Sequence, residues 1–238
     1  MNYHVLVLAV LLVFCSVPAA VSAAGGVDGN GVVKDARDME RVDFIHFKKA
    51  KPGGGKPGGD TCYKLMGVKW NTLPVNYTIN PTNSNGLTES FVTAAVSTSA
   101  DTWDADTTPN LFNDAYSVDY NASYGVLDGK NSLVFGSYSN SGVIAITSIW
   151  YNRKTKQIGE FDILFNTYYQ WGDAEQDPAL MDLQNIATHE LGHGIGLNDI
   201  YRGACSAVTM YGYSDNGETD KRTLEQPDIT GLQSMYGA

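Results

Sequence analysis

The chain reads as an α+β domain: a strand, a long helix, a run of strands, then two further helices. Two kinds of pattern carry this reading. Apolar residues recur at helical spacing in three stretches, and they alternate or run together in five shorter ones. Helices and strands are grouped along the chain and do not alternate strictly, which separates this order from a βαβ repeat.

Residues 75–80 alternate and predict the first strand. Residues 87–103 are rich in Ala, Val and Phe at helical spacing, with Thr88 or Ser84 as the cap. Four β-prone runs follow, at 116–120, 132–138, 143–151 and 158–166. Asp177-Pro178 then predicts a helix start, Asp as N-cap and Pro in the first turn. Leu180, Leu183, Ala187 and Leu191 lay an apolar stripe along that helix. A last helix is predicted from near Pro227, carrying Ile229, Leu232, Met235 and Tyr236.

The chain has 238 residues and a net charge of −10, with 18% charged side chains. That length fits one domain plus appendages. The negative charge argues against nucleic acid and against stable association with an anionic membrane. A monomer is expected. Residues 1–23 read as a secretory signal peptide, so the protein is expected to be secreted and extracellular. The apolar run at 5–17 is too short to span a bilayer comfortably, Pro18 interrupts it, and Val21-Ser22-Ala23 offers a small-x-small cleavage site. An uncleaved anchor is the alternative.

Residues 24–60 differ from the rest. Lys51-Pro52-Gly53-Gly54-Gly55 and Lys56-Pro57-Gly58-Gly59 form a near-repeat whose composition suits a linker. Val42 to Phe47 alternates and is read as an added strand or a cover for a groove. The segment is a pro-segment or a plain linker. The globular part is expected at 61–238. Past the signal two cysteines remain, Cys62 and Cys205, and an even pair in an exported chain suggests a disulfide. The alternative makes Cys62 an inhibitory thiolate on a metal.

His189-Glu190-Leu191-Gly192-His193-Gly194-Ile195-Gly196-Leu197-Asn198-Asp199 carries the chemistry. Two imidazoles four residues apart share a helical face, so both can hold one zinc ion. Glu190 is the expected general base, taking a proton from the attacking water and passing it to the leaving amine. Gly196 allows the left-handed turn that ends the helix and brings the chain back. The longer zinc signature places its third ligand where Asp199 stands. Of four histidines, His4 lies in the signal and His46 in the 24–60 segment. Only His189 and His193 remain in the globular part. Unless His46 folds back, the third ligand is an oxygen, and Asp199 is the candidate. The same count leaves no histidine free for a serine or cysteine triad.

These residues resemble a metzincin peptidase, and several segments are similar to matrixins. The run from Ala187 to Leu197 follows the matrixin active-site helix, and Asp228 to Gly237 resembles the matrixin C-terminal helix. Val208-Thr209-Met210-Tyr211 resembles the Met-turn, which implies Met210 as an apolar floor under the metal. The resemblance covers about residues 66–238. It implies a twisted, mostly parallel sheet of about five strands with three main helices, one catalytic zinc and a polypeptide substrate. Strand 143–151 is either a plain buried strand or, as the resemblance implies, the edge that pairs with extended substrate. In matrixins a histidine stands where Asp199 stands; snapalysins carry Asp. The matrixin structural-zinc histidines and the Pro-Arg-Cys-Gly motif are missing from this sequence. Neither Tyr211 nor Tyr213 is assigned a role.

The expected activity is therefore a secreted zinc metalloendopeptidase, a hydrolase. Two other readings stay open. One is an inactive metzincin-like binding or adhesion module. The other is a non-haem iron enzyme, because two His and one carboxylate also suit iron. Calcium stays open elsewhere but has no residue pattern to support it: Asp104-x-Asp106 is followed by Pro109 and Ala115 where a calcium loop needs Gly and Glu, and it reads as a solvated helix end.

Overall fold

The computed structural model describes residues 38–48 and 61–238. The expected signal peptide and the Gly/Pro-rich run lie outside the described residues. The elements in chain order are β1 (Met39–Lys48), β2 (Thr78–Asn80), α1 (Glu89–Asp104), β3 (Ser117–Val118), β4 (Ser132–Gly136) and β5 (Val143–Asn152). Then come β6 (Ile158–Asn166), β7 (Trp171–Gly172), β8 (Met181–Asp182), α2 (Leu183–Gly194), β9 (Tyr213–Ser214) and α3 (Gln226–Tyr236).

Seven strands form one sheet in the order β3-β2-β4-β6-β5-β1-β9. The pairs β3–β2, β2–β4, β4–β6 and β1–β9 are parallel, and β5 is antiparallel to both its neighbours. β5 thus runs against the other six. The fold is α+β with a mostly parallel sheet and three helices, as the sequence implied. Among the described residues this sheet has seven strands, where about five were expected. β9 has two residues, too few to show a period. β1 comes from the segment read as pro-segment or linker, and pairing with β5 makes it a strand.

One face of the sheet packs on α1 and α2. Ile79, Leu133, Phe161, Ile163 and Phe165 meet Val92, Val96, Trp103, Ile186 and Leu191 in the main core. On the other face a smaller cluster joins Val134, Val143, Ile146 and Leu164 to Ala122, with Ile45, Phe47 and Tyr124 against it. β5 and β6 are buried on both faces, which is why they read as near-continuous apolar runs. The β1–β5 register slips between His46 and Phe47. That slip puts Ile144 in the main core and its neighbours Val143 and Ile146 in the smaller cluster.

The active helix does not begin at Asp177. Asp177 accepts the Ala179 N–H, but its carbonyl closes a turn with the Leu180 N–H. The Met181 N–H then bonds the Gln170 carbonyl, and β8 pairs with β7. The helix starts at Leu183, capped by Asp182, whose carboxylate accepts the Asn185 N–H at 2.8 Å and receives Arg222. Thr88 caps α1, as one of the two expected candidates. Asp104 is not a solvated helix end. Its Oδ1 accepts the N–H groups of Leu111 and Phe112, tying α1 to the next loop.

Cys62 and Cys205 are bridged, S–S 2.06 Å, across 143 residues. The Cys62 sulfur is therefore committed and does not act as an inhibitory thiolate. Closing so long a loop contributes about 4–5 kcal/mol by the loop-closure argument. Beside the bridge, the Met66 N–H bonds the Gly196 carbonyl and the Asn198 N–H bonds the Lys64 carbonyl. The start of the domain is thus stitched to the turn after α2. Among the described residues no helix is long and apolar enough to cross a membrane.

Candidate metal centre

α2 brings His189 and His193 together as their spacing requires, with ring centroids 4.8 Å apart and planes nearly perpendicular. Each ring is held by its Nδ1. His189 Nδ1 donates to the Thr209 carbonyl at 2.7 Å, and His193 Nδ1 to the Leu197 carbonyl at 2.8 Å. Both Nε2 atoms are left to face the same space.

The turn that returns the chain has the geometry of a Schellman cap. The Leu197 N–H bonds the Gly192 carbonyl and the Gly196 N–H the His193 carbonyl. Gly196 has φ +106°, and a Cβ there would strike the Val68 carbonyl. Both facts require glycine. Gly192 is needed for closeness: a Cβ would lie 2.6 Å from Trp103, which packs behind the helix beside Met210. Met210 is buried against the helix, and Thr209, its neighbour, supplies the carbonyl that holds His189.

Asp199 then arrives. Its Oδ1 lies 3.2 Å from His189 Nε2 and 3.4 Å from His193 Nε2. Its Oδ2 accepts the Tyr201 hydroxyl at 2.9 Å. Asp199 Oδ1 and the two Nε2 atoms are all buried, and none has a hydrogen-bond partner. Three convergent, orphaned donors of the types zinc prefers would each cost free energy without a cation between them. The residues fit a zinc ion. A second cluster, His46, His189 and Glu190, also offers ligand atoms. There the His46 and Glu190 atoms are already bonded to each other, to Ser214 and to Thr147, so it has no comparable need for a metal.

Burial and mutual charge set the protonation states. Burial would push the Asp199 carboxyl up, but His193 and His189 outweigh it and hold it far below the usual carboxylate range. Burial lowers His189 to about 4. His193 is raised: burial opposes this, and the Asp199 carboxylate wins. Glu190 is fully buried, and burial raises its carboxyl. A base of raised pKa suits proton transfer near neutrality.

Glu190 accepts the Thr147 hydroxyl from β5 at 2.5 Å and contacts His46 Nδ1 at 3.0 Å. His46 was expected outside the globular part. Instead β1 carries it back, 144 positions away in sequence, into the site. Its Nε2 meets Ser214 Oγ of β9 at 3.1 Å, and burial lowers it to about 3, so it is neutral. Two residues earlier, Phe44 stacks on His193 at 4.2 Å and 15°. Two side chains of β1 thus cover both the base and one imidazole.

Sequence reasoning missed the supports. Asp228, at the start of α3, accepts the Thr209 N–H at 2.8 Å and the Met210 N–H at 3.2 Å, and so fixes the carbonyl that holds His189. The visible signal was the Glu225–Asp228 pair, which forms a capping box on α3. Tyr236 Oη donates to the Ile195 carbonyl at 2.7 Å, supporting the end of α2. Tyr211 packs with Ile200, Cys205 and Val208, while Tyr213 pairs with β1 through its backbone.

A family model described as matrixin matches residues 69–237, well over half of the chain. Comparison with curated proteins found no match.

Proposed function

The chain belongs to the matrixin family, whose chemistry is that of a zinc metallopeptidase, and we propose from that premise a secreted endopeptidase made in latent form. The observation that carries the catalytic part is the convergence of His189 Nε2, His193 Nε2 and Asp199 Oδ1, all orphaned, beside the buried Glu190.

In this reading His189, His193 and Asp199 hold the ion. When bound, zinc supplies the Lewis acidity that polarises the peptide carbonyl and activates water. Glu190 takes the proton from the attacking water and delivers it to the leaving amine nitrogen as the C–N bond breaks. Thr147 orients the Glu190 carboxylate. Thr209 and Leu197 keep both imidazoles in the tautomer that leaves Nε2 free. Met210 and Trp103 keep water from the back of the site.

Residues 24–60 act as a pro-segment in this reading. β1 supports it: the strand runs antiparallel to β5 and parallel to β9, which is the lane expected for extended substrate. His46 and Phe44 lie where the reacting groups of a substrate belong. In this reading residues 1–23 are removed on export, and a monomer without stable membrane association suits the net charge of −10.

The test uses full-length protein loaded with zinc, with an inserted protease site cut once between residues 49 and 60. Stoichiometric zinc and chelator-sensitive casein hydrolysis, lost in Glu190→Ala, are expected. Stoichiometric zinc with no hydrolysis in the cut chain would point to a binding module. Preference for iron, with no hydrolysis, would point to an oxygenase-type site.

A further inference from the structure

β1 lies along β5 from Met39 to Phe47, so its side chains mark the positions that an extended partner of β5 presents. Thr147 of β5 reaches Glu190 on one face of the sheet. Ser148 and Trp150 point to the other face, where Arg41 and Asp43 stand directly across from them. There the Arg41 guanidinium sits 5.0 Å over the Trp150 ring and 5.7 Å over the Tyr124 ring. It donates to Ser148 Oγ at 2.9 Å, and to the Tyr124 hydroxyl and the Gly125 carbonyl at 3.4 Å each.

The receiving side of this cup belongs to the catalytic domain. Trp150 and Ser148 come from β5, and Tyr124 and Gly125 from the loop before β4. Ser148 is fully buried and Trp150 nearly so. Asp43, which pairs with Arg41 Nε at 2.7 Å and accepts the Ser148 hydroxyl at 2.7 Å, is part of β1 and leaves with it. When β1 departs, two aromatic faces, two hydroxyls and a carbonyl lose their cation together. Ser148 and the Tyr124 hydroxyl keep each other at 2.6 Å, which holds the cup in shape.

We infer that Trp150, Tyr124, Ser148 and the Gly125 carbonyl form a specificity subsite for a substrate arginine at the strand position that pairs with Trp150. The inference rests on the peptidase reading above and deepens it. A planar guanidinium fits the cup better than an ammonium, because it stacks on the Trp150 ring while its N–H groups reach Ser148 and Gly125. Arg41 lies N-terminal to Phe44 and His46, the two side chains at the metal centre. The selected arginine therefore falls on the N-terminal side of the cleaved bond.

Two measurements on the cut full-length chain test this. In the first, zinc-loaded protein digests a mixed library of unstructured peptides, and mass spectrometry reads the products. Arginine should be enriched about tenfold at one fixed position N-terminal to the cut, with lysine enriched less. The enrichment should fall in Tyr124→Phe and Ser148→Ala and vanish in Trp150→Leu. In the second, a fluorescent peptide of residues 39–48 binds the zinc-free cut chain, read by anisotropy. Replacing its arginine by methionine should weaken binding about tenfold, and replacing it by lysine about threefold. The second measurement needs neither activity nor a folded Trp150 variant.

Hydrolysis without enrichment at any N-terminal position would overturn the subsite and leave the peptidase reading intact. No hydrolysis combined with arginine-dependent peptide binding would overturn the peptidase reading while keeping the cup as a guanidinium site. Peptide binding indifferent to the arginine would overturn the inference outright.

Discussion

α2 brings two imidazoles and β1 a third to the same few ångströms, by opposite means. α2 is buried over nearly its whole length, capped by Asp182 at one end and by the Gly196 turn at the other. Its histidines face one point because a helix repeats every 3.6 residues. β1 has a charged outer half, and it is held by the β5 ladder, two backbone pairings to β9 and a few side chains. His46 reaches the site only because that ladder sets its register. One element is part of the core, and the other is placed upon it. The proposed ligand platform and removable cover need that difference.

Four experiments press on this contrast, from the largest expected effect to the smallest. Glu190→Ala in the cut chain should lower kcat by roughly 10²–10⁴-fold with zinc content unchanged, since it removes the base and leaves the ligands. Loss of zinc alongside activity would mean that α2 is less independent of Glu190 than its packing implies. Cutting between residues 49 and 60 should raise hydrolysis roughly 100-fold, because β1 then competes as a separate segment without its tether. Amide exchange should accelerate in 39–48 and stay slow in 183–194. Equal acceleration in both would erase the distinction between platform and cover.

Tyr201→Phe removes the hydroxyl that orients Asp199, so zinc affinity should fall about tenfold in chelator competition. An unchanged affinity would assign Tyr201 to packing alone. His46→Ala in the uncut chain should raise basal hydrolysis about fivefold, the scale of one lost hydrogen bond, with zinc content constant. No rise would leave the cover to Phe44 and the ladder.

The same contrast explains what could be read beforehand. Strand β6 was placed to the residue, and β5 to within one, because long apolar runs mark buried strands. α3 was found from Pro227 and its apolar spacing. The start of α2 was misplaced, since Asp177-Pro178 carries a genuine cap signal that a local turn and the β7–β8 pair override. In the metal centre the motif gave His189, His193, Gly196 and Asp199. It gave none of the surrounding contacts: Thr209 and Asp228 behind His189, Thr147 on Glu190 and Ser214 on His46 are ordinary residues whose value lies in who faces them.

By itself the sequence determined the candidate donor set and the turn that completes it. His189 and His193 share a face by helical period, and Gly196 allows a return within three residues; both follow from local backbone geometry. Only the tertiary structure decided what covers the centre and what steadies it. β1 lies across β5 from more than a hundred positions away, and Asp228 steadies the Thr209 carbonyl from the last helix. No short-range pattern records such contacts, because they depend on strand register and helix packing that exist only once the chain has folded.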